Sequence, residues 1–162
     1  MTSYRRTRSA ILEGSKTLIA AVGIHRANMV EIADTSQVSR ATLYNHFRDK
    51  SSVLRALLES EVSRVFDIAD SDIAPVDALS RISIEISSDA ALATLRATDP
   101  SSLTHILTQV NDPLWEQIAI SISGFIKNAS SAELARLWLI GQVMQPLSRD
   151  ESQKQAGLIC AH

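Results

Sequence analysis

The sequence predicts an all-α protein: an N-terminal three-helix helix-turn-helix head, joined by a long fourth helix to a helical body. Three observations carry that expectation. Apolar residues recur at helical spacing in almost every segment, and no stretch of useful length alternates with a two-residue period. The chain also holds only 5 Gly and 4 Pro in 162 residues, too few for the many turns of a β-sandwich. With 45% hydrophobic and 21% charged residues, it is too apolar to remain disordered.

Four helices are expected in the first ~70 residues. The first runs from Tyr4 to about Val22, with Ile11, Leu12, Leu18, Ile19 and Val22 on one face and Gly23 as its stop. The second starts at Asn28, a good N-cap, with Glu31 placed three residues on to reach back to the cap's own N–H. It is short, ending near Ser36, and is expected to bury Met29, Ile32 and Ala33. Ser39 caps a third helix reaching about Phe47. Asp49 caps the fourth, whose stripe of Val53, Leu54, Leu57, Leu58, Val62, Val65 and Phe66 is interrupted at Glu61. The acidic stretch 67–72, followed by Pro75, reads as a joint. Beyond it helices are expected near 76–97 (broken near Ser87-Ser88), 101–110, 113–128, 131–145 and 150–160. Asp99-Pro100 and Asp112-Pro113 mark two of their starts, since proline is tolerated in the first turn and Asp suits the cap before it. The division expected is a head at 1–50 and a body at 51–162.

Composition excludes several classes. No apolar run approaches the ~18–20 residues of a membrane span, and no apolar stretch of a secretory leader follows the opening Met-Thr-Ser-Tyr-Arg-Arg-Thr-Arg, so a cytoplasmic protein without membrane partners is expected. The single cysteine, Cys160, rules out a disulfide or a cysteine-based zinc site within one chain. Without a glycine-rich phosphate loop, a recognisable carboxylate pair or a nucleophile with a visible base, no catalytic residue, metal site or cofactor is expected. His25 and His105 read as surface residues, and Trp115 and Trp138 as packing residues.

The net charge of −2 conceals an asymmetry. Residues 1–64 hold ten Arg and Lys against six acids, whereas residues 65–162 hold six against twelve. A basic head on an acidic body suits nucleic-acid binding, though an imbalance of this size also arises on any solvated surface. The short pair Met29–Ser36 and Ser39–Phe47 is more specific. Two such helices, separated by two or three residues, have the proportions of a helix-turn-helix, in which the second helix enters the major groove. The planar fork of Arg40 can pair bidentately with guanine. Ser39, Thr42, Tyr44 and Asn45 offer polar groups to phosphates or bases, and His46 and Lys50 add donors near the backbone. Leu43 and Phe47 would face inward with Ile32 and Val38.

The segment from Met29 to Lys50, with Ile32-Ala33, Val38-Ser39, Thr42-Leu43-Tyr44, His46-Phe47 and Lys50, resembles the DNA-binding signature of the TetR family of bacterial transcriptional regulators. The resemblance covers roughly residues 5–66. It implies that Arg40 reads bases, that Ser39, Thr42, Tyr44 and His46 touch phosphate or bases, and that Lys50 binds phosphate. It also implies that Asn28 meets backbone and that Arg5, Arg6 and Arg8 form a basic arm along the duplex. Two positions depart from the pattern: Gln37 stands where the family usually has Gly, and Val30 where many members place a polar or basic residue. A positive φ at Gln37 would cost roughly 1 kcal/mol.

Residues 114–126 and 134–144 are apolar around most of the helix circumference, which a body of this size cannot bury by itself. Burial between two copies is expected, through Trp115, Ile122, Leu134, Trp138 and Val143. The resemblance implies a homodimer on a palindromic double-stranded operator, a repressor released by a small-molecule effector whose site the sequence leaves unknown. Two rivals stand beside it: a regulator with the same head and no small-molecule inducer, and a helical interaction protein that has lost DNA binding.

Overall fold

The computed structural model describes residues 3–69, 73–109 and 111–161. Ten helices occur among them: α1 (Ser3–Val22), α2 (Met29–Thr35), α3 (Arg40–His46), α4 (Lys50–Phe66), α5 (Pro75–Ser88), α6 (Ala90–Thr98), α7 (Pro100–Thr108), α8 (Pro113–Phe125), α9 (Ala129–Met144) and α10 (Arg149–Cys160). No strand occurs among the described residues. The all-α fold with its three-helix head and long fourth helix is the one expected. The heart of the acidic joint, residues 70–72, lies outside the described residues, as do Val110 and His162.

The chain packs as two compact units: Met1–Glu61 with Ala90–Ser102, and Val62–Asp89 with Leu103–His162. A division at residue 50 therefore does not coincide with the packing. The first twelve residues of α4 and all of α6 group with the head. A hydrogen bond from Thr94 Oγ1 to the Ala20 carbonyl, 2.6 Å long, joins α6 to α1, a connection 74 residues apart in sequence that periodicity does not reveal.

In the first unit, Ile11, Leu12 and Ile19 of α1 are buried with Ile32 and Ala33 of α2, Leu43 of α3 and Val53, Ala56 and Leu57 of α4. Met29 is only half-buried, because the first turn of α2 lies at the edge of this core. A side chain in place of Gly14 would collide with the end of α2, since a Cβ there would meet the Ser36 backbone Cα at 2.7 Å. Close approach of α1 to α2 thus depends on that glycine. Lys16 Nζ and Glu61 Oε2, 2.7 Å apart, tie α1 to α4.

In the second unit, α5, α9 and α10 bury a polar knot among aliphatic neighbours. Ser83 Oγ lies 2.6 Å from Gln142 Oε1 and 2.7 Å from Ser152 Oγ, and Ser87 Oγ donates to the same Gln142 oxygen. Such a network is tolerated in a core because its members satisfy one another. Helix ends follow the sequence signals. Asp112 and Ser148 cap α8 and α10 with their side chains, and Ser148 forms a full capping box with Glu151. The expected break near Ser87-Ser88 falls at Asp89, between α5 and α6. α8 stops at Phe125, short of the expected 128, where Ile126 turns to an extended conformation.

Candidate nucleic-acid interface

α2 and α3 are joined by a turn with a specific hydrogen-bond pattern. The Gln37 amide donates to the Asp34 carbonyl at 3.1 Å, and the Val38 amide to the Ala33 carbonyl at 3.0 Å. This is the Schellman arrangement, which requires a left-handed residue at the position Gln37 occupies. Gln37 adopts φ 55, a positive value otherwise found only at Gly23 (φ 80) among the described residues. The sequence departure at residue 37 therefore leaves the turn geometry intact at the cost of backbone strain.

The caps hold both helices in place. The Asn28 side chain accepts from the amides of Val30 and Glu31, each at 3.0 Å. Glu31 reaches back, as expected, but to the Asn28 side-chain amide (2.9 Å) and not to the backbone N–H. Ser39 Oγ accepts from the Thr42 amide and lies 2.8 Å from Thr42 Oγ1. At the start of α4, the Asp49 carboxylate accepts from the Ser52 amide at 2.8 Å, which holds its carboxyl below the usual carboxylate range.

α3 is divided into an inner and an outer face. Leu43 and the capping Phe47 are buried, with Val38 half-buried beside them, fixing the roll of the helix. Arg40, Tyr44 and Asn45 of the same helix are exposed. Arg40 and Tyr44 are one helical turn apart and neighbours on the helix surface. Val30 at the start of α2 is exposed as well. Arg5 and Arg6 are exposed in the first turns of α1.

Other site residues have partners within the protein. Lys50 Nζ donates to the carbonyls of Ile24 at 2.9 Å and Ala27 at 3.0 Å, bracing the loop between α1 and α2. An ammonium has three donors, so these contacts leave one. His46 stacks on Tyr4, the ring centroids 4.2 Å apart, and its Nδ1 is buried with no hydrogen-bond partner among the described residues. The Arg8 guanidinium lies over the Phe47 ring, 5.4 Å from its centroid, a cation–π distance. Sequence reasoning missed Tyr4, and nothing in the local pattern identifies it, because its partner is 42 positions away.

On the second unit, Leu134, Leu137 and Met144 of α9 are exposed. With Gly141 they occupy positions i, i+3, i+7 and i+10, one stripe along the helix. Leu158 of α10 is 64% exposed. Gly141 and Gly157 both face open space. Of the residues expected at a dimer contact, Leu134 lies on this stripe, while Trp115, Trp138 and Val143 are half-buried. Trp138 donates its indole N–H to Gln155 Oε1 at 2.7 Å. Ile122 is a correction: it is fully buried within its own unit and offers nothing to a second copy. Periodicity failed here because a helix apolar on all sides does not show which side its own chain covers. No helix among the described residues is long and apolar enough to cross a membrane. No group of three potential metal ligands occurs among them.

Residues 11–57 match the family described as bacterial regulatory proteins, tetR family. Over 56 residues the chain is 32% identical to the HTH-type transcriptional regulator TtgR of Pseudomonas putida, and equally to the probable regulator ArpR of the same species. That match spans 35% of this chain and only 27% of each of those regulators. The fold is similar to that of transcriptional regulator SCO7518 from Streptomyces coelicolor A3(2), with a TM-score of 0.64 at 19% identity, covering 97% of this chain and 99% of that one. It is also similar to a regulator from Aquifex aeolicus VF5 described as of the TerR/AcrR family, with a TM-score of 0.61 at 16% identity and coverage of 96% and 99%. Residues 11–57 thus carry the sequence of a tetR-family head, and the described residues share the all-α fold of these regulators.

Proposed function

We propose that this protein is a transcriptional regulator that binds a palindromic DNA operator as a homodimer and acts as a repressor. The observation that carries the reading is the outer face of α3. Arg40, Tyr44 and Asn45 stand exposed there while Leu43 and Phe47 anchor the helix. Arg40 reads a guanine edge, and Tyr44 and Asn45 bind phosphate or base edges beside it. The Ser39 and Thr42 hydroxyls flank the face, Arg5 and Arg6 lie along the backbone of the duplex, and the third donor of Lys50 takes a phosphate. The Asn28 side chain is occupied as a cap, so its part is to orient the first turn of α2. His46 acts by holding Tyr4 and with it the basic arm.

The α9 stripe of Leu134, Leu137 and Met144, together with Leu158, is the surface that pairs two copies. Uncovered aliphatic stripes of this kind mark association surfaces, and a two-fold dimer matches the two halves of a palindrome. A small-molecule effector completes the proposal. It enters the groove of about 330 Å³ lined by Val62, Phe66, Gln117, Ser121 and Phe125, and its binding moves the two heads out of register with successive major grooves. The protein works in the cytoplasm, as DNA binding requires in a bacterium. A mobility-shift titration of the full chain on DNA upstream of its own gene tests the reading. Salt-sensitive retardation that survives competitor DNA supports it, and retardation equal on all duplexes contradicts it.

A further inference from the structure

A second site lies within the first unit, away from α3. The ends of α1 and α6 come together around a cleft of about 410 Å³ lined by Ala21, Gly23, His25, Arg26, Thr98 and Asp99, in the size range of small-molecule pockets. Gly23 and Thr98 form its narrow part, since a Cβ on Gly23 would meet Thr98 Oγ1 at 2.8 Å. Asp99 is 3% exposed. Its Oδ1 caps α7, accepting from the Ser102 amide at 3.2 Å and from Ser101 Oγ at 3.1 Å, and lies 3.2 Å from His25 Nε2. Its Oδ2 is buried with no hydrogen-bond partner among the described residues.

An unpaired carboxylate oxygen in the interior is costly. Burial pushes the Asp99 carboxyl up, but hydrogen bonding from Ser102 and Ser101, with the His25 ring beside it, outweighs burial and holds it below the usual range. The group is therefore an anion at neutral pH. The C-terminus of α1 at Val22 adds partial negative charge to the cleft, while that of α6 at Thr98 is offset by the N-terminus of α7 at Pro100, which Asp99 caps. The His25 side chain is 73% exposed although its Nε2 reaches Asp99 Oδ1, and Arg26 is exposed at the rim of the cleft.

We propose that this cleft binds a small primary ammonium compound, its N–H donors meeting the unpartnered Oδ2 of Asp99 and the carbonyl ends of α1 and α6. An anion is opposed by the carboxylate, and a purely apolar ligand leaves Oδ2 unpaired. A divalent metal lacks the necessary ligands, because Asp99 and His25 stand without a third His, Cys, Asp or Glu among the described residues. A bound ammonium joins the carbonyl end of α1 to the junction of α6 and α7, where Thr94 already bonds to Ala20.

The test is an NMR titration of the full chain at neutral pH with n-propylammonium chloride, against sodium chloride at equal ionic strength and uncharged n-propanol. No DNA is present, so the result is independent of the operator reading. The expected result is saturable shifts of the Gly23, His25 and Thr98 amides, with Kd in the millimolar range, seen with the ammonium alone. Asp99→Asn keeps a capping acceptor and removes the charge, and it should weaken binding by about tenfold or more. Equal affinity in a folded Asp99→Asn chain overturns the proposal. Should that variant fail to fold, the wild-type comparison decides: shifts equal with propanol or sodium chloride overturn it, and ammonium-specific shifts at these three residues uphold it.

Discussion

The ring of Tyr4 lies on that of His46, their centroids 4.2 Å apart and their planes 30° from parallel. Through that stack the first turn of α1, which carries Arg5 and Arg6, is fastened to the last residue of α3. A helix terminus otherwise frays, so the stack decides whether the two arginines are held near the exposed face of α3. Aromatic pairs contribute about 0.5–1.5 kcal/mol beyond their buried area. Tyr4→Ala is expected to lower stability by about 1 kcal/mol and to weaken DNA binding with a shallower salt dependence. Thermal unfolding and anisotropy titrations at several salt concentrations check both.

Gln37 sits at φ 55 in a turn whose hydrogen bonds require that conformation. Glycine adopts it without a Cβ penalty. Gln37→Gly should therefore raise stability by about 1 kcal/mol, a rise in Tm of roughly 2–4 °C for a chain of this length. An unchanged or lower Tm would mean that the Gln37 side chain makes a compensating interaction.

Arg40 and Lys50 separate readout from architecture. Arg40 is exposed, so Arg40→Ala should leave Tm nearly unchanged, cost about 1–3 kcal/mol of operator affinity and relax base preference at one position. Lys50 braces the Ile24 and Ala27 carbonyls. Lys50→Ala should lower Tm as well as weaken all duplexes alike, flattening the salt slope by about one. Melting curves and salt-dependent affinities of the two variants, measured in parallel, distinguish the roles.

Leu137, 52% exposed at the centre of the α9 stripe, makes pairing of two copies testable. Leu137→Glu places a charge where a dimer would bury it, at a cost of several kcal/mol, while a monomer loses little. Sedimentation equilibrium should show the wild type as a dimer and the variant shifted to monomer, with helicity retained by circular dichroism. A variant that sediments like the wild type moves the contact elsewhere.

Much of this molecule is legible in its sequence because local signals dominate its helix ends. Asn28, Ser39, Asp49 and the Asp-Pro pairs at 99–100 and 112–113 announce starts that the hydrogen bonds then bear out. The inner face of α3 follows from the four-residue spacing of Leu43 and Phe47. What stays hidden depends on distant partners. Tyr4 against His46, Thr94 on Ala20 and Asp99 beside His25 join residues 42, 74 and 74 positions apart, and no periodicity encodes such meetings. The buried knot of Ser83, Gln142 and Ser152 is opaque for the same reason, since each residue alone reads as surface. Lys50 was legible as a cation and not as a brace, because a side chain's partners do not follow from its charge.

The central claim is that α3 reads DNA sequence from its exposed polar face. Its most direct test is selection of bound duplexes from a random pool by the purified full chain at low ionic strength. The account predicts enrichment of a palindrome whose half-sites lie about one helical turn, ~34–36 Å, apart, with one conserved guanine that Arg40→Ala no longer selects. A folded protein that enriches no duplex, or whose enriched sequence is unchanged in Arg40→Ala, would contradict it.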